Sequence, residues 1–286
     1  MKISVITVTL NSGKFLADCI HSVRQQTHQD IEHIIIDGKS TDNTLQIIRE
    51  NSDHITCWLS ETDRGMYDAI NKGISLATGD IVGILNSDDV YASRNVLANI
   101  AECFTHTKTD AVYGDLVFVN PTNPDHITRI WKGISYKRYR FNYGWMPAHP
   151  TFYMRRELID QYGLYENHYY TAADYEFMAR YLYKHRVSAT YLEQMVVKMR
   201  NGGLSNGNIW RRLRANRRDY LAMKRNNIPF SFFVSILKPL GKIHQYKNAF
   251  SKQAVPVKEL QPMKTTVTYV LSPESKTVDA HAKFIQ

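Results

Sequence analysis

Ile81-Val82-Gly83-Ile84-Leu85-Asn86-Ser87-Asp88-Asp89 decides the fold of this chain. The apolar run 81–85 reads as a buried strand, so two adjacent carboxylates arrive at a strand's carboxyl end. In an open α/β sheet that edge is where ligands bind. Neighbouring carboxylates repel unless a positive charge sits between or beside them, and Mg²⁺ or Mn²⁺ carrying a substrate diphosphate is one such charge. The same four polar residues also read as a solvated acidic turn capping a helix that starts near Ser93. The flanking sequence separates the two alternatives.

Upstream, residues 3–10 (Ile-Ser-Val-Ile-Thr-Val-Thr-Leu) alternate and are β-branched, a strand ending at Asn11-Ser12-Gly13. Phe15, Leu16, Cys19, Ile20 and Val23 then recur at helical spacing. Ile34-Ile35-Ile36 is a second buried strand closed by Asp37-Gly38, and Asp42 starts the helix carrying Leu45, Ile47 and Ile48. Thr56 to Leu59 reads as a third strand and Met66 to Ala77 as a helix, leading into the run 81–85. Strands alternating with helices predict an α/β fold, a Rossmann-like, mostly parallel sheet covered on both faces. From about residue 110 the pattern changes. Ala111–Tyr113, Leu116–Val119 and Ile127–Trp131 read as short strands in hairpins, and Asp174 to Lys184 as a helix. Gly202-Gly203 and Gly207 mark a domain edge, followed by a basic helix from Ile209 to Lys224. The expected organisation is a domain over 1–207, a small basic helical segment over 208–252 and a loosely attached tail over 253–286.

The bulk properties agree. A chain of 286 residues, 43% apolar, buries one sizeable core with an appendage. Cys19, Cys57 and Cys103 are odd in number and scattered, which fits neither a disulfide framework nor a zinc site and points to a reducing compartment. Lys2 leads straight into a strand-like run, so no secretory leader is expected, and no stretch approaches the ~20 apolar residues of a membrane span. Residues 211–252 hold eleven Lys or Arg against one acid, Asp219, whereas residues 1–210 hold 21 bases and 23 acids. The basicity of the chain belongs to one C-terminal segment.

Taken together, the strand ending Thr7-Val8-Thr9-Leu10-Asn11, then Asp37-Gly38-Lys39-Ser40-Thr41-Asp42-Asn43-Thr44, then Asn86-Ser87-Asp88-Asp89 resemble the family 2 glycosyltransferases of the GT-A fold, over roughly residues 1–200. The resemblance implies that the first strand end and the Asp37 turn hold the nucleotide of a sugar donor, with Thr7, Thr9, Asn11 and Asp37 as contacts. It implies that Asp88 faces the ribose and sugar and that Asp89 is the ligand of Mn²⁺ or Mg²⁺. Elementary chemistry agrees: a departing nucleoside diphosphate needs its charge offset, and a divalent cation held by one or two carboxylates does this. Asp37 also reads as a plain turn cap.

Glu61-Thr62-Asp63-Arg64-Gly65-Met66-Tyr67-Asp68-Ala69-Ile70-Asn71-Lys72-Gly73 resembles a polysaccharide-type subgroup, with Ile70 where many members carry Arg. Arg64 is then the candidate for the donor phosphates, since a guanidinium pairs bidentately with phosphate. Asp68 and Lys72 read as an i,i+4 helix pair. Inverting transfer needs a carboxylate at the acceptor hydroxyl. The family supplies it from a Glu-Asp pair at a helix head; here Ala173 replaces the first acid, and Asp174 matches the second and is the expected base, with helix capping as its plainer role. Glu176 is expected to be structural. His149, between Pro147 and Pro150, is a candidate metal ligand, with contact to acceptor or phosphate, or a purely structural role, as alternatives.

The expected activity is metal-dependent inverting transfer from a nucleotide-sugar, UDP-linked by preference, to a hydroxyl of a glycan or lipid-linked glycan in surface polysaccharide synthesis. Segment 208–252 interleaves bases with Trp210, Tyr220 and Phe230-Ser231-Phe232-Phe233, which suits an anionic membrane surface better than nucleic acid, for which no motif is present; a helix packed on the core with solvated arginines is the plainer alternative. The expected location is cytoplasmic, peripheral on the inner face of the plasma membrane. A nucleotidyltransferase is the competing enzyme class, disfavoured by the lack of a Gly-rich, Lys-bearing phosphate loop near the N-terminus. A non-catalytic glycan- or lipid-carrier-binding subunit is the competing binding class, suggested by Ala173.

Overall fold

The computed structural model describes residues 1–201, 209–232, 234–235 and 269–270. Its first half alternates strand and helix as the periodicity requires: β1 (Ile3–Thr9), α1 (Leu16–Arg24), β2 (Ile31–Asp37), α2 (Thr44–Glu50), β3 (Cys57–Ser60), α3 (Met66–Leu76) and β4 (Ile81–Ile84). There follow β5 (Val90–Tyr91), α4 (Val96–Thr107), β6 (Ala111–Val119), β7 (Ile127–Trp131), β8 (Tyr153–Arg155), α5 (Glu157–Tyr162), α6 (Ala173–Met178), β9 (Ala189–Arg200), α7 (Ile209–Arg225) and β10 (Tyr269–Val270).

The main sheet runs β10-β9-β6-β8-β4-β1-β2-β3, with β5 added to β9 and β7 to β6. The block β4-β1-β2-β3 is parallel, and so is β6 with β9. Strand β8 runs antiparallel between β4 and β6 and joins the two parallel parts. The expected α/β sheet with helices on both faces is therefore present. Successive residues of β1 divide between the faces. Ile6 and Val8 pack with Ala69, Ile70 and Ile74 of α3, while Ile3 and Val5 pack with Cys19 and Val23 of α1 and Leu97, Ile100 and Phe104 of α4. At the amino end of the sheet, Glu32 ties three elements: it accepts from Lys2 Nζ (3.0 Å), Ser4 Oγ (2.5 Å), Thr78 N (2.8 Å) and Thr78 Oγ1 (2.7 Å). Burial pushes this carboxyl upward, but the donors outweigh it and bring its pKa down to about 2.

Three expectations are corrected. Residues 111–119 form one strand, not two; Gly114-Asp115 interrupts the pattern because the strand bulges there, with register shifts on both sides of Asp115. Strands β8 and β9 were not expected at all. The helix expected over 174–184 is α-helical only to Met178 and continues as a π-helical turn over Ala179–Lys184. Its Arg180 is buried, donating to the carbonyls of Tyr162 (2.5 Å), Gly163 (3.1 Å) and Leu164 (2.7 Å) and pairing with the buried Glu176 at 3.0 Å. Glu176 is thus structural, as expected.

Helix α7 lies where the basic helix was expected. Its inward residues Ala222 and Met223, with Ile228 beyond it, belong to the same core cluster as Ile6 and Phe177. Among the described residues no helix is long and apolar enough to cross a membrane. Of the expected tail over 253–286 the structure describes Tyr269–Val270, which pair with Leu192 and Tyr191; the rest of that tail, and much of segment 208–252, lie outside the described residues.

Candidate functional site

The carboxyl ends of β1, β2 and β4 converge on one edge of the sheet, and their loops are laced together. Asn11, at φ 50°, donates its N–H to Ser40 Oγ (2.7 Å) and accepts from Thr41 N at Oδ1 (2.8 Å). Ser12 N donates to Thr44 Oγ1 (2.8 Å), and Gly13 N to Asp42 Oδ2 (3.0 Å). A Cβ added at Gly13 would lie 1.7 Å from Asn43 Oδ1, so a side chain there requires the Asn43 amide to swing away. Asp37 is fully buried and frames the turn, accepting from Ser40 N (3.0 Å), Ser40 Oγ (2.5 Å) and Ser60 Oγ (2.6 Å). Thr9 is buried beside it with a hydroxyl that has no partner among the described residues. Thr7 is a different case. Its hydroxyl lies 3.0 Å from His33 Nε2 and 3.8 Å from Cys19 Sγ, so it supports β1 from behind the edge.

The acidic turn follows β4. Asp89 is 0% exposed; its Oδ2 accepts from Asn86 Nδ2 (3.0 Å), while its Oδ1 is buried with no partner among the described residues. Burial first and the Asp88 charge second push the Asp89 carboxyl well above its ordinary range, against the Asn86 amide, the Arg200 backbone N–H and the Arg200 charge, which pull it down; burial also raises Asp88. Behind the turn stands a residue that sequence reading missed. Arg200, at the end of β9, donates to the Asp88 carbonyl (2.8 Å), pairs with Asp18 (2.6 Å) and lies over the Phe15 ring (4.7 Å). It is 5% exposed, and its Nε is a third buried atom without a partner among the described residues. Such an atom costs about 1–3 kcal/mol where nothing offsets it, and a ligand reaching Thr9 Oγ1 or Asp89 Oδ1 would offset it there.

Asp174 and His149 come together. Because β8 pairs antiparallel with β4, Gly83 opposite Tyr153, the three-residue 3₁₀ turn His149–Thr151 that precedes β8 lies beside the carboxyl end of β4. His149 Nδ1 stands 3.4 Å from Asp174 Oδ2 across the first turn of α6. The Asp174 Oδ1 accepts the Tyr175 N–H (2.8 Å). Tyr67 and Tyr165 flank it, stacked with centroids 5.4 Å apart; burial, then the Asp174 charge, raises both phenols. The turn is tied back to the β6 bulge through Thr151 Oγ1, which donates to the Gly114 carbonyl at 3.0 Å.

Arg64 follows Asp63, whose carboxylate borders Gly38 of the Asp37 turn. Its guanidinium pairs with Asp68 (2.7 Å), and burial of Asp68 against Asn167 Nδ2 (3.1 Å) anchors that pair. Lys72 is 3.8 Å from Asp68 but only 2.8 Å from Glu61, so the expected Asp68–Lys72 pair is the weaker of its contacts. Arg64, Asp68, Asn71, Lys72 and Leu164 line an open groove of about 410 Å³ along α3; none of Asp88, Asp89 and Asp174 lines it. Among the described residues no cluster of three or more His, Cys, Asp or Glu surrounds a common point. The buried, unpartnered Asp89 Oδ1 beside a second carboxylate nonetheless suits a hard divalent cation that takes its remaining ligands from phosphate and water.

The family model described as Glycosyl transferase family 2 matches residues 4–163. A Mycobacterium bovis protein named as a PGL/p-HBAD biosynthesis glycosyltransferase is 32% identical over 208 residues, covering 71% of this chain and 78% of that protein. An uncharacterized glycosyltransferase of Nostoc sp. is 37% identical over 107 residues, covering 36% of this chain and 33% of its own. Among solved structures, S. aureus TarS 1–349 in complex with UDP-GlcNAc superposes with a TM-score of 0.58 at 21% identity, covering 91% of this chain and 84% of that one. A longer TarS chain is covered to 50%. The Pyrobaculum calidifontis mannosyltransferase PcManGT, in complex with GDP-Man and Mn²⁺, gives 0.59 at 18% identity, covering 91% and 78%.

Proposed function

From the premise that this chain belongs to glycosyl transferase family 2 and is a glycosyltransferase, we propose that it moves a sugar from a nucleotide-sugar, a UDP-sugar by preference, to a hydroxyl of a glycan or lipid-linked glycan, with inversion at the anomeric carbon. The observation that carries the proposal is the shared edge: the acidic turn with its orphaned Asp89 Oδ1 follows β4, and the His149–Asp174 pair stands beside the same strand end. The bound donors of the fold neighbours support a nucleotide-sugar.

In this proposal the laced loops of Asn11, Asp37 and Thr9 hold the nucleotide, and Arg64 is the exposed guanidinium for the donor phosphates. Asp89 would hold Mn²⁺ or Mg²⁺ with Asp88 beside it on the ribose and sugar side, and a cation held there would supply the charge that offsets the departing diphosphate. Arg200 balances part of the acid pair's charge from behind. Asp174 accepts the acceptor hydroxyl proton as that oxygen forms its bond to the anomeric carbon and the carbon–phosphate oxygen bond breaks, releasing the nucleoside diphosphate. With Nδ1 turned to Asp174, His149 orients the base; this is a different part from the metal ligand expected of it.

Titration of UDP and of GDP into the protein, with and without Mn²⁺, tests the donor side: UDP heat that needs Mn²⁺ and vanishes in Asp89→Ala is the expected result. For the base, Asp174→Asn is expected to lower the transfer rate about 10²–10⁴-fold while leaving UDP affinity unchanged. Full activity in Asp174→Asn would sink that assignment.

A further inference from the structure

We propose that the outward face of α7 and the turn that follows it dock on an anionic lipid surface. This goes beyond the transfer reaction and uses none of its residues. Helix α7 carries seven bases and one acid, Asp219. Ala222, Met223 and Asn226 point inward and are buried. Arg217, Leu221 and Lys224 fall on the opposite face and are exposed, as the 3.6-residue repeat dictates, and so is Arg225, which pairs with Glu166 at 3.5 Å. Asp219 lies on the inward half, where its charge reaches the buried Tyr175 phenol, so the outward face is cationic. Immediately beyond the helix, Phe230 is 78% exposed and Phe232 59%, with Leu221 at 42% on the helix itself. Phe230 also sits at φ 53°, a left-handed conformation that a phenylalanine adopts only under constraint. The constraint is local: Ile228 and Ser231 on either side are buried, and Val234 N donates to the Phe230 carbonyl at 3.1 Å.

A cluster of exposed aromatics flanked by Lys and Arg matches the chemistry of a bilayer interface. The rings enter the acyl boundary while the bases meet anionic headgroups. Charge complementarity selects the occupant, because a neutral protein groove would match the rings and not the bases. The face is also tied to the site. Asn226 Nδ2 donates to Glu176 Oε1 at 3.3 Å, and Glu176 lies two residues after Asp174 on α6, so docking would set the height of that helix above the headgroups.

The test is co-sedimentation of the full chain with phosphatidylcholine vesicles and with vesicles containing about 30% phosphatidylglycerol. At least tenfold stronger partition onto the anionic vesicles is expected, falling steeply at about 0.5 M NaCl. Arg217→Glu/Lys224→Glu and Phe230→Ser/Phe232→Ser are each expected to weaken it at least tenfold, with the thermal midpoint and Mn²⁺-dependent UDP binding unchanged. Leu221→Ser is a milder probe of the same face. Equal partition onto both vesicle types, or wild-type partition in the charge variant, overturns the proposal. So does a dimer that the Phe variant converts to monomer, which assigns the face to a second copy. Binding of a mixed-sequence RNA that depends on Arg217 and Lys224 but not on the two rings assigns it to nucleic acid and overturns the proposal as well.

Discussion

Asp89 occupies a position that a folding chain would ordinarily avoid: a carboxylate with no exposure, a like charge next to it in sequence and one oxygen left without a donor among the described residues. Replacing it by Asn keeps the shape and the Asn86 contact while removing the repulsion. Asp89→Asn is therefore expected to raise the metal-free thermal midpoint by a few degrees, equivalent to about 1 kcal/mol, and to abolish Mn²⁺-dependent UDP binding. Calorimetric melting and titration read the two effects separately; a lowered midpoint would mean that the charge is already compensated. At this scale much of the site was legible. Asp88, Asp89 and Asp174 stand out as acids at a strand end and a helix head, and His149 as an imidazole between prolines. What could not be read is who partners whom. The His149–Asp174 contact and the place of Arg200, 112 residues from Asp88, depend on strand pairings that no local pattern announces.

Strands β1, β2 and β4 were legible because they are short β-branched runs buried on both faces. Strand β9 was not, for its sequence Ala-Thr-Tyr-Leu-Glu-Gln-Met-Val-Val-Lys-Met-Arg mixes buried and half-buried positions without alternation. Strand β6 was read as two pieces because its bulge puts Gly114 and Asp115 in mid-strand. Asp115 is held there by Gly133 N and the Tyr191 hydroxyl, both at 2.6 Å. The opposite end of the sheet offers an element-scale test. Glu32 clamps the starts of β1 and β2 to the α3–β4 connection, and its carboxyl titrates at about 2 instead of 4.5. A depressed acid contributes stability above its unfolded pKa and loses it as pH falls through the folded one. Glu32→Gln should thus cost about 1–2 kcal/mol at pH 7, with the deficit shrinking between pH 4.5 and 2 and gone below. Urea unfolding of both proteins across that window checks it; an equal deficit at both ends would show that the charge is not what holds the clamp.

Across the whole molecule, the expected boundary near residue 207 separates two stretches of chain that share one core, since Ala222, Met223 and Ile228 pack into the cluster of Ile6 and Phe177. A chain ended at residue 207 strips Glu176 of the Asn226 bond and uncovers that surface. A loss of about 3–5 kcal/mol is expected, seen as a clearly lower melting midpoint; an unchanged midpoint would make α7 an independent unit. The same connectivity orders events in time. Strands β1, β2 and β4 leave the ribosome early and can pair among themselves, and β6 can pair with β7 and β8, but the β6–β9 pairing joins residues 78 positions apart, Ala111 with Ala189. Pairings of that sequence separation form late. Arg200, the last residue of β9, is therefore among the final pieces to reach the acidic turn. Until synthesis has passed residue 200, a nascent chain presents the Asp88–Asp89 turn without the arginine that backs it, so the donor binding proposed above would have to wait for β9.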